Sequence, residues 1–227
     1  MQVAYSTLLA ALSLVGALQA GTITGIVKAK GATPAADEAG SDAYANRRYK
    51  FVEKLDYGQF HDFVIYLDQP VPGAPFAPPT QPAVIRQKDA SFVPHVLPVL
   101  VGTTVVWPNQ DDIYHNVFSM SQTKSFDLGL YSAEQPAKRV TFDQPGQVDV
   151  FCAIHTKMRC IVLVLTNPYF ALADHKGRFT ITGIPAGVYK VRAWHERMPS
   201  QWKEITVPAE GEVVANFVLS LGDLQKY

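Results

Sequence analysis

Between residues 83 and 166 the chain alternates apolar and polar positions over short stretches, and no helical period is sustained. Gly, Pro, Asn and Asp clusters separate these stretches, which read AVIRQKDASFVP, HVLPVLVG, TTVVWPN, HNVFSM, RVTFDQPG, QVDVFC and CIVLVL. Successive side chains of a strand point to opposite faces, so the pattern predicts short antiparallel strands in a sandwich or barrel. We predict an all-β fold class.

The same pattern continues on both sides of this region. TITGIVKAKG and HDFVIYLDQP predict strands before it. After it, YFALADHKGRFTITGIPAGVYKVRAWH and then KEITVPAEGEVVANFVLS, which begins at Lys203, predict four strands joined by tight turns at 175–177, 185–187 and 210–211. Residues 41–55 are typical of either a short helix or an ordered surface loop. Six prolines in the thirteen residues PVPGAPFAPPTQP exclude a helix or a central strand, so we place a linker at 71–82.

The N-terminus predicts export. Residues 8–18 form an apolar segment that ends in small residues, which is typical of a signal peptide spanning 1–20 with cleavage after Ala20. A membrane anchor is the alternative, but the segment is short for a span and no basic flank directly follows it. We expect the mature chain to be soluble, without a membrane span, and periplasmic if the cell is Gram-negative.

Composition narrows the functional classes. The 227 residues include 20 basic and 20 acidic side chains, and without a basic run nucleic acid is not an expected partner. The sequence has no recognisable Ser/His/Asp set, paired carboxylates or phosphate-binding loop, so we do not predict an enzyme. The two cysteines could form one disulfide in an exported protein.

The candidate chemistry lies in FCAIHTKMRC, residues 151–160, where Cys152, His155 and Met158 follow the pattern C-x-x-H-x-x-M. A blue-copper site needs one thiolate, two imidazoles and a weak axial sulfur, and this loop supplies all but one imidazole. His115 can supply the second, because a strand ends at Trp107, a polar turn follows, and His115 opens the next strand.

Cys160 leaves two alternatives open. It could form a disulfide with Cys152, which would remove the copper thiolate, or the two cysteines could bind zinc together with His115 and His155. Met158 favours copper, because neither alternative needs a thioether. In the copper interpretation Cys160 is a buried small apolar residue.

Residues 83–166 resemble the cupredoxins, and the amicyanin-type proteins most closely. The likeness rests on the short C-x-x-H-x-x-M loop, on FDQPGQVDVFC before the cysteine, and on Gly102, Val105, Trp107, Asn109 and His115–Val117. It implies one type 1 copper ion, with His115 and His155 as imidazole ligands, Cys152 as thiolate and Met158 as axial ligand. It also implies that Asn116 hydrogen-bonds near the cysteine sulfur and that His155 is the electron port. Cys160 departs from the family, which usually has Gly there.

The run ADHKGRFTITGIPAGVYKVRAWH resembles the transthyretin-like module called the carboxypeptidase regulatory-like domain. The C-terminal part is small for an independent core. We therefore predict one discontinuous β-sandwich from 21–70 and 167–222, with the cupredoxin region inserted and a tail at 223–227. A separate C-terminal domain is the alternative. The order of all segments also resembles periplasmic proteins labelled methylamine utilisation proteins.

Together these features predict a one-electron carrier that cycles between Cu(I) and Cu(II) and docks with an unidentified redox protein. The neutral net charge argues against strong electrostatic steering, so we expect an apolar patch near His155 to mediate docking. The alternatives are a periplasmic copper-binding or copper-delivery protein, and a structural module with an inactive site. The sequence does not predict the oligomeric state.

Overall fold

The computed structural model describes residues 20–31 and 56–220, and strands dominate both ranges. Its one helical segment in these ranges is the 3-10 turn Tyr57–Gln59. The all-β prediction is confirmed. The predicted signal peptide apart from Ala20, the possible helix within 41–55 and the tail at 223–227 lie outside the described residues. No helix in the described part of the chain has the length and apolar character needed to cross a membrane.

Eighteen strands make up the described chain. In order they are β1 (Ala20–Lys30), β2 (Val64–Leu67), β3 (Ala83–Val84), β4 (Arg86–Lys88), β5 (Ser91–Val93), β6 (Val96–Leu100), β7 (Thr103–Trp107), β8 (His115–Met120), β9 (Ser125–Tyr131), β10 (Lys138–Phe142), β11 (Gly146–Phe151), β12 (Arg159–Leu165), β13 (Phe170–Leu172), β14 (Arg178–Pro185), β15 (Gly187–His195), β16 (Met198–Val207), β17 (Glu212–Val214) and β18 (Phe217–Ser220).

Strands β3 to β12 form a sandwich that we call the central sandwich. One sheet has the order β10-β7-β3 and the other β6-β12-β11-β8-β9. Between them lies an apolar core that contains Trp107, Tyr131, Phe142 and both cysteines. Strands β4 and β5 form a separate hairpin whose two turn residues, Asp89 and Ala90, both have positive φ. Two-residue hairpin turns favour this conformation because its twist matches that of the strands.

The remaining strands form a second sandwich that we call the flanking sandwich. Its sheets are β14-β1-β17, with β18 also pairing with β1, and β13-β2-β15-β16. The core between them includes Ile23, Phe63, Phe179 and Phe217, so it combines residues that precede the central sandwich with residues that follow it. The sandwich architecture confirms the predicted fold class. The transthyretin-like identity and the domain boundaries at 70, 82 and 166 stay predictions.

Strand β12 joins the two sandwiches. Cys160, Val162 and Val164 face the core of the central sandwich. The alternate residues Ile161, Leu163 and Leu165 face Val64 and Trp194 of the flanking sandwich. Burial on both faces explains why CIVLVL is apolar without alternation.

The hairpin between β15 and β16 differs from the expectation. The sequence predicted a strand beginning near Lys203, but β16 already begins at Met198 and pairs with β15 as far as His195↔Met198. Glu196 and Arg197 form the tight turn between the two strands. The polar residues of QWKE conceal this strand from an argument based on alternation, because only the first and last residues of β16 are buried.

Candidate metal centre

The candidate loop connects β11 to β12 at one end of the central sandwich. The flanking strands pair up to Phe151↔Arg159, and the loop between these residues carries Cys152, His155 and Met158. Two backbone hydrogen bonds close it. The Cys152 amide donates to the Met158 carbonyl at 3.1 Å, and the Met158 amide donates to the His155 carbonyl at 2.9 Å. The short sequence therefore folds into a tight, internally bonded loop.

The structure brings His115, Cys152 and His155 together. Their potential ligand atoms all lie within 4.8 Å of one another. The Nδ1 atoms of His115 and His155 are 3.1 Å apart, and the Cys152 Sγ lies 3.8 Å from the His155 Nδ1. His115 reaches this position because it opens β8, which lies beside β11 in the sheet. Met158, the fourth predicted ligand, is buried in the same apolar cluster as Cys152.

Asp111 determines which ring nitrogen of His115 faces the other candidate ligands. The His115 Nε2 lies 2.7 Å from the Asp111 Oδ2. An ionised carboxylate only accepts hydrogen bonds, so Nε2 carries the hydrogen, and a neutral ring then has its lone pair on Nδ1. That nitrogen faces His155 and Cys152. A histidine whose outer nitrogen donates to a carboxylate is the usual arrangement of a metal-ligating imidazole.

The backbone of the β4–β5 turn holds the Asp111 carboxylate in place. The amides of Asp89 and Ala90 donate to its two carboxylate oxygens at 2.7 Å and 3.0 Å. Burial raises the pKa of Asp111, but hydrogen bonds from the Ala90 amide, the His115 ring and the Asp89 amide together lower it below the ordinary value of 3.8. Asn109 shapes the same segment, because its Oδ1 accepts from the Asp111 amide at 2.9 Å. Asp111 was not predicted from the sequence, although its position four residues before His115 was a usable signal.

The donors differ in exposure. His115 is fully buried and Cys152 is 5% exposed. His155 is only half-buried, so its ring is the part of the group nearest to solvent. Ile154 precedes it and is 51% exposed, and Tyr114, which precedes His115, is 58% exposed. Solvent-facing apolar side chains therefore flank the two imidazoles in the sequence.

The donor set fits a thiophilic metal ion. Two imidazole nitrogens and one thiolate are the equatorial ligands of a blue-copper site. Imidazole nitrogens that share one ion at about 2.0–2.1 Å are at most about 4.2 Å apart, and the observed 3.1 Å satisfies this. A thiolate at about 2.3 Å and an imidazole at about 2.1 Å are at most about 4.4 Å apart, which the observed 3.8 Å between Cys152 and His155 satisfies. The ligand atoms of His115 and Cys152 lie within 4.8 Å of each other, a bound slightly longer than this limit.

Cys160 takes no part in this group. Among the described residues, the clustered potential ligands are His115, Cys152 and His155, and Cys160 lies outside them. Both cysteines are free and buried, so the disulfide alternative is not the arrangement found. Burial raises the pKa of the Cys160 thiol well above its ordinary value. The zinc alternative used Cys160 as its fourth ligand, and the structure does not bring Cys160 into the group.

Asn116 forms a cross-strand contact. Its Nδ2 donates to the Asp127 Oδ1 at 2.7 Å, and the same oxygen accepts from the Gly129 amide at 2.8 Å. These hydrogen bonds lower the pKa of Asp127, the Gly129 amide contributing most. The side chain of Asn116 thus ties β8 to β9 beside the site. Its predicted hydrogen bond near the cysteine sulfur stays a prediction.

Comparison with known proteins yields partial likenesses. The chain matches no protein-family model and no curated protein. A copper-containing nitrite reductase from Thermus scotoductus is 28% identical over 44% of this chain and 26% of its own, with a TM-score of 0.37. Amicyanin from Paracoccus versutus is 25% identical over 44% of this chain and 97% of its own, with a TM-score of 0.35. The chain therefore spans about a quarter of the nitrite reductase. TM-scores below 0.5 establish neither a shared fold nor a shared function.

Proposed function

We propose that this chain is an exported type 1 copper protein that carries single electrons to or from a redox protein. The observation that carries the proposal is the convergence of His115 Nδ1, His155 Nδ1 and Cys152 Sγ, with the outer nitrogen of His115 held by Asp111. One copper ion bound there would supply the change between Cu(I) and Cu(II). Export to the periplasm belongs to the proposal and rests on the sequence of residues 1–20 alone.

The four candidate ligands would supply three kinds of donor atom. Cys152 offers a thiolate, and His115 and His155 offer neutral imidazole nitrogens, which suit either copper oxidation state. Met158 would supply the weak axial thioether that tunes the potential. Its backbone hydrogen bonds to Cys152 and His155 keep the three loop residues in one arrangement, so little would have to move when the charge of the ion changes.

Burial favours a carrier over a catalyst. His115 and Cys152 are shielded from solvent, so a small substrate would not reach the ion from their side. An electron can instead pass through the half-buried ring of His155. The exposed Ile154 and Tyr114 would offer apolar contacts to a docked partner near this ring. Such contacts suit a protein with a formal net charge of zero, which has little long-range steering.

The test is a Cu(II) titration of the metal-free mature protein, followed by absorption and electron paramagnetic resonance. We expect an intense thiolate-to-copper band and a narrow hyperfine splitting in the wild type. Cys152→Ser should abolish both, whereas Cys160→Ser should keep both. Copper binding without the thiolate band, in protein whose two thiols are titratable, would contradict a type 1 site and favour storage or delivery.

A further inference from the structure

Glu196 reaches from the flanking sandwich to the base of the candidate metal loop. It lies in the β15–β16 turn, and its side chain is 14% exposed. One carboxylate oxygen accepts from His95 Nε2 at 2.8 Å, and the other accepts from the guanidinium of Arg159. Both partners belong to the central sandwich. A carboxylate this far removed from water is stable only when it is paired and hydrogen-bonded, as it is here.

His95 completes the link from the other side. Its Nδ1 lies 3.1 Å from the Arg159 carbonyl oxygen, and its Nε2 faces Glu196. A carbonyl oxygen and a carboxylate only accept hydrogen bonds, so each ring nitrogen of His95 faces an acceptor. The His95 carbonyl also accepts from the Ile161 amide at 2.8 Å. Arg159 is therefore held by Glu196 through its side chain and by His95 through its backbone.

Arg159 is the residue at which the metal loop ends. It pairs with Phe151 in the last step of the β11–β12 ladder. It directly follows Met158, whose amide and carbonyl make the two hydrogen bonds that close the loop. A displacement of the Arg159 backbone would therefore move Met158 and weaken the bond that joins it to Cys152.

Apolar packing beside the cluster fixes its geometry. Val96 follows His95, Ile161 lies two residues after Arg159, and Trp194 lies two residues before Glu196. All three belong to the apolar cluster between the sandwiches. Because such packing resists displacement, the β15–β16 turn is a firm support for the carboxylate.

We infer that Glu196 is a positioning residue through which the flanking sandwich holds the Met158 end of the metal loop and thereby sets the properties of the copper site. The statement about copper rests on the proposed function, and the statement about the loop does not. Removing the carboxylate charge while keeping its size breaks the ion pair with Arg159 and loosens the end of the loop that this pair holds.

The test compares Glu196→Gln with Asp68→Asn. Asp68 is a matched control, since its carboxylate also pairs with two basic side chains, Arg192 and Lys190, but both belong to the flanking sandwich. The first readout is amide hydrogen exchange of Cys152 and Met158 in the metal-free protein. The second is the midpoint potential and the hyperfine splitting of the copper-loaded protein. Arg159→Gln, which changes the most exposed member of the cluster, repeats the exchange measurement if Glu196→Gln fails to fold.

We expect Glu196→Gln to raise the exchange rates of these two amides several-fold, to shift the midpoint potential and to change the hyperfine splitting. Asp68→Asn should leave all three at their wild-type values. Unchanged exchange and potential in Glu196→Gln would overturn the inference while leaving the proposed function intact. A wild-type protein that forms no thiolate-to-copper band would remove the proposed function, and the exchange rates would still decide whether Glu196 holds the loop.

Discussion

Cys160 lies directly across from Val150 in the β11–β12 ladder, whereas Cys152 lies beyond the last pair of that ladder. The two thiols are thus offset along the sheet by two residues. Diagonal neighbours of this kind have Cα atoms about 7–8 Å apart, which is beyond the reach of an unstrained disulfide. The offset separates the proposed ligand from a cysteine that only packs.

Replacing Cys160 should therefore leave the metal site intact. We expect Cys160→Ala to keep the thiolate-to-copper band and to lower the free energy of unfolding by about 1 kcal/mol, because it deletes one buried sulfur. Absorption spectroscopy and denaturant unfolding measure the two effects. Loss of the band in this variant, with folding retained, would place Cys160 among the ligands.

Asp111 should control copper affinity through His115. Asp111→Asn can still face the imidazole, but an amide also donates, so the preference for hydrogen on Nε2 weakens. Loss of such a partner typically reduces metal affinity about 10-fold to 100-fold, and we expect a weakening of that size in a competition assay with a copper chelator. Asp112→Asn is the control, since Asp112 is an exposed neighbour. Equal affinities of the two variants would contradict the role of Asp111.

His195 should make stability depend on pH. It stacks on Phe60 and packs against Phe63 with ring centroids 5.0 Å and 4.8 Å away. Burial lowers its pKa from 6.5 to about 4. Between pH 6.5 and pH 4 the unfolded chain binds a proton at this histidine more readily than the folded chain does. The contribution of the neutral His195 to the free energy of unfolding is therefore complete above pH 6.5 and is lost as the pH falls toward 4. The loss amounts to about 3 kcal/mol.

Denaturant unfolding of the metal-free protein between pH 7 and pH 4 checks this. We expect His195→Phe, which keeps an aromatic ring in place, to flatten the pH dependence relative to the wild type. The exposed His175→Asn should leave the slope unchanged. A slope that is identical in all three proteins would show that His195 titrates normally.

Two glycines of the flanking sandwich allow the stability cost of a left-handed backbone to be measured apart from the cost of a steric clash. Gly177 and Gly183 both have φ of +75°, but a Cβ on Gly177 would lie 2.1 Å from the Val27 carbonyl oxygen, whereas a Cβ on Gly183 meets nothing within 4 Å. A left-handed conformation costs a non-glycine residue roughly 1–2 kcal/mol. We expect that loss for Gly183→Ala and a larger one for Gly177→Ala, measured by thermal unfolding. Equal losses of stability would mean that the backbone of β1 shifts at Val27 to accommodate the new Cβ at no cost in free energy.

The sequence predicted the short strands around the candidate loop well. Alternation and the Pro-Gly turn before β11 indicated a strand that ends at Cys152, and the polar turn after Trp107 indicated that His115 opens the next. These are local signals, and backbone periodicity suffices to interpret them. The order of the donors then pointed to the group that His115, Cys152 and His155 form.

The contacts that support this group escaped prediction, because they join residues far apart in the chain. The spacing between Asp111 and His115 is a usable signal. The hydrogen bonds that the β4–β5 turn donates to the Asp111 carboxylate have no such signal in the sequence. Glu196 and Arg159 are 37 residues apart and lie in different sandwiches. The pattern of apolar and polar residues in either segment does not indicate this ion pair, because the pair depends on how the sheets pack.

The doubly buried strand β12 has a consequence for anyone who would isolate the central sandwich. A fragment limited to residues 83–166 would present Ile161, Leu163 and Leu165 to water, because most of the side chains that cover them belong to β2, β13 and β15. A contiguous apolar surface of this kind promotes self-association. Such a fragment would form oligomers or precipitate, and its candidate metal loop would lack the support of Glu196. The smallest unit that keeps the candidate metal loop in this arrangement is therefore the pair of sandwiches and not the central sandwich alone.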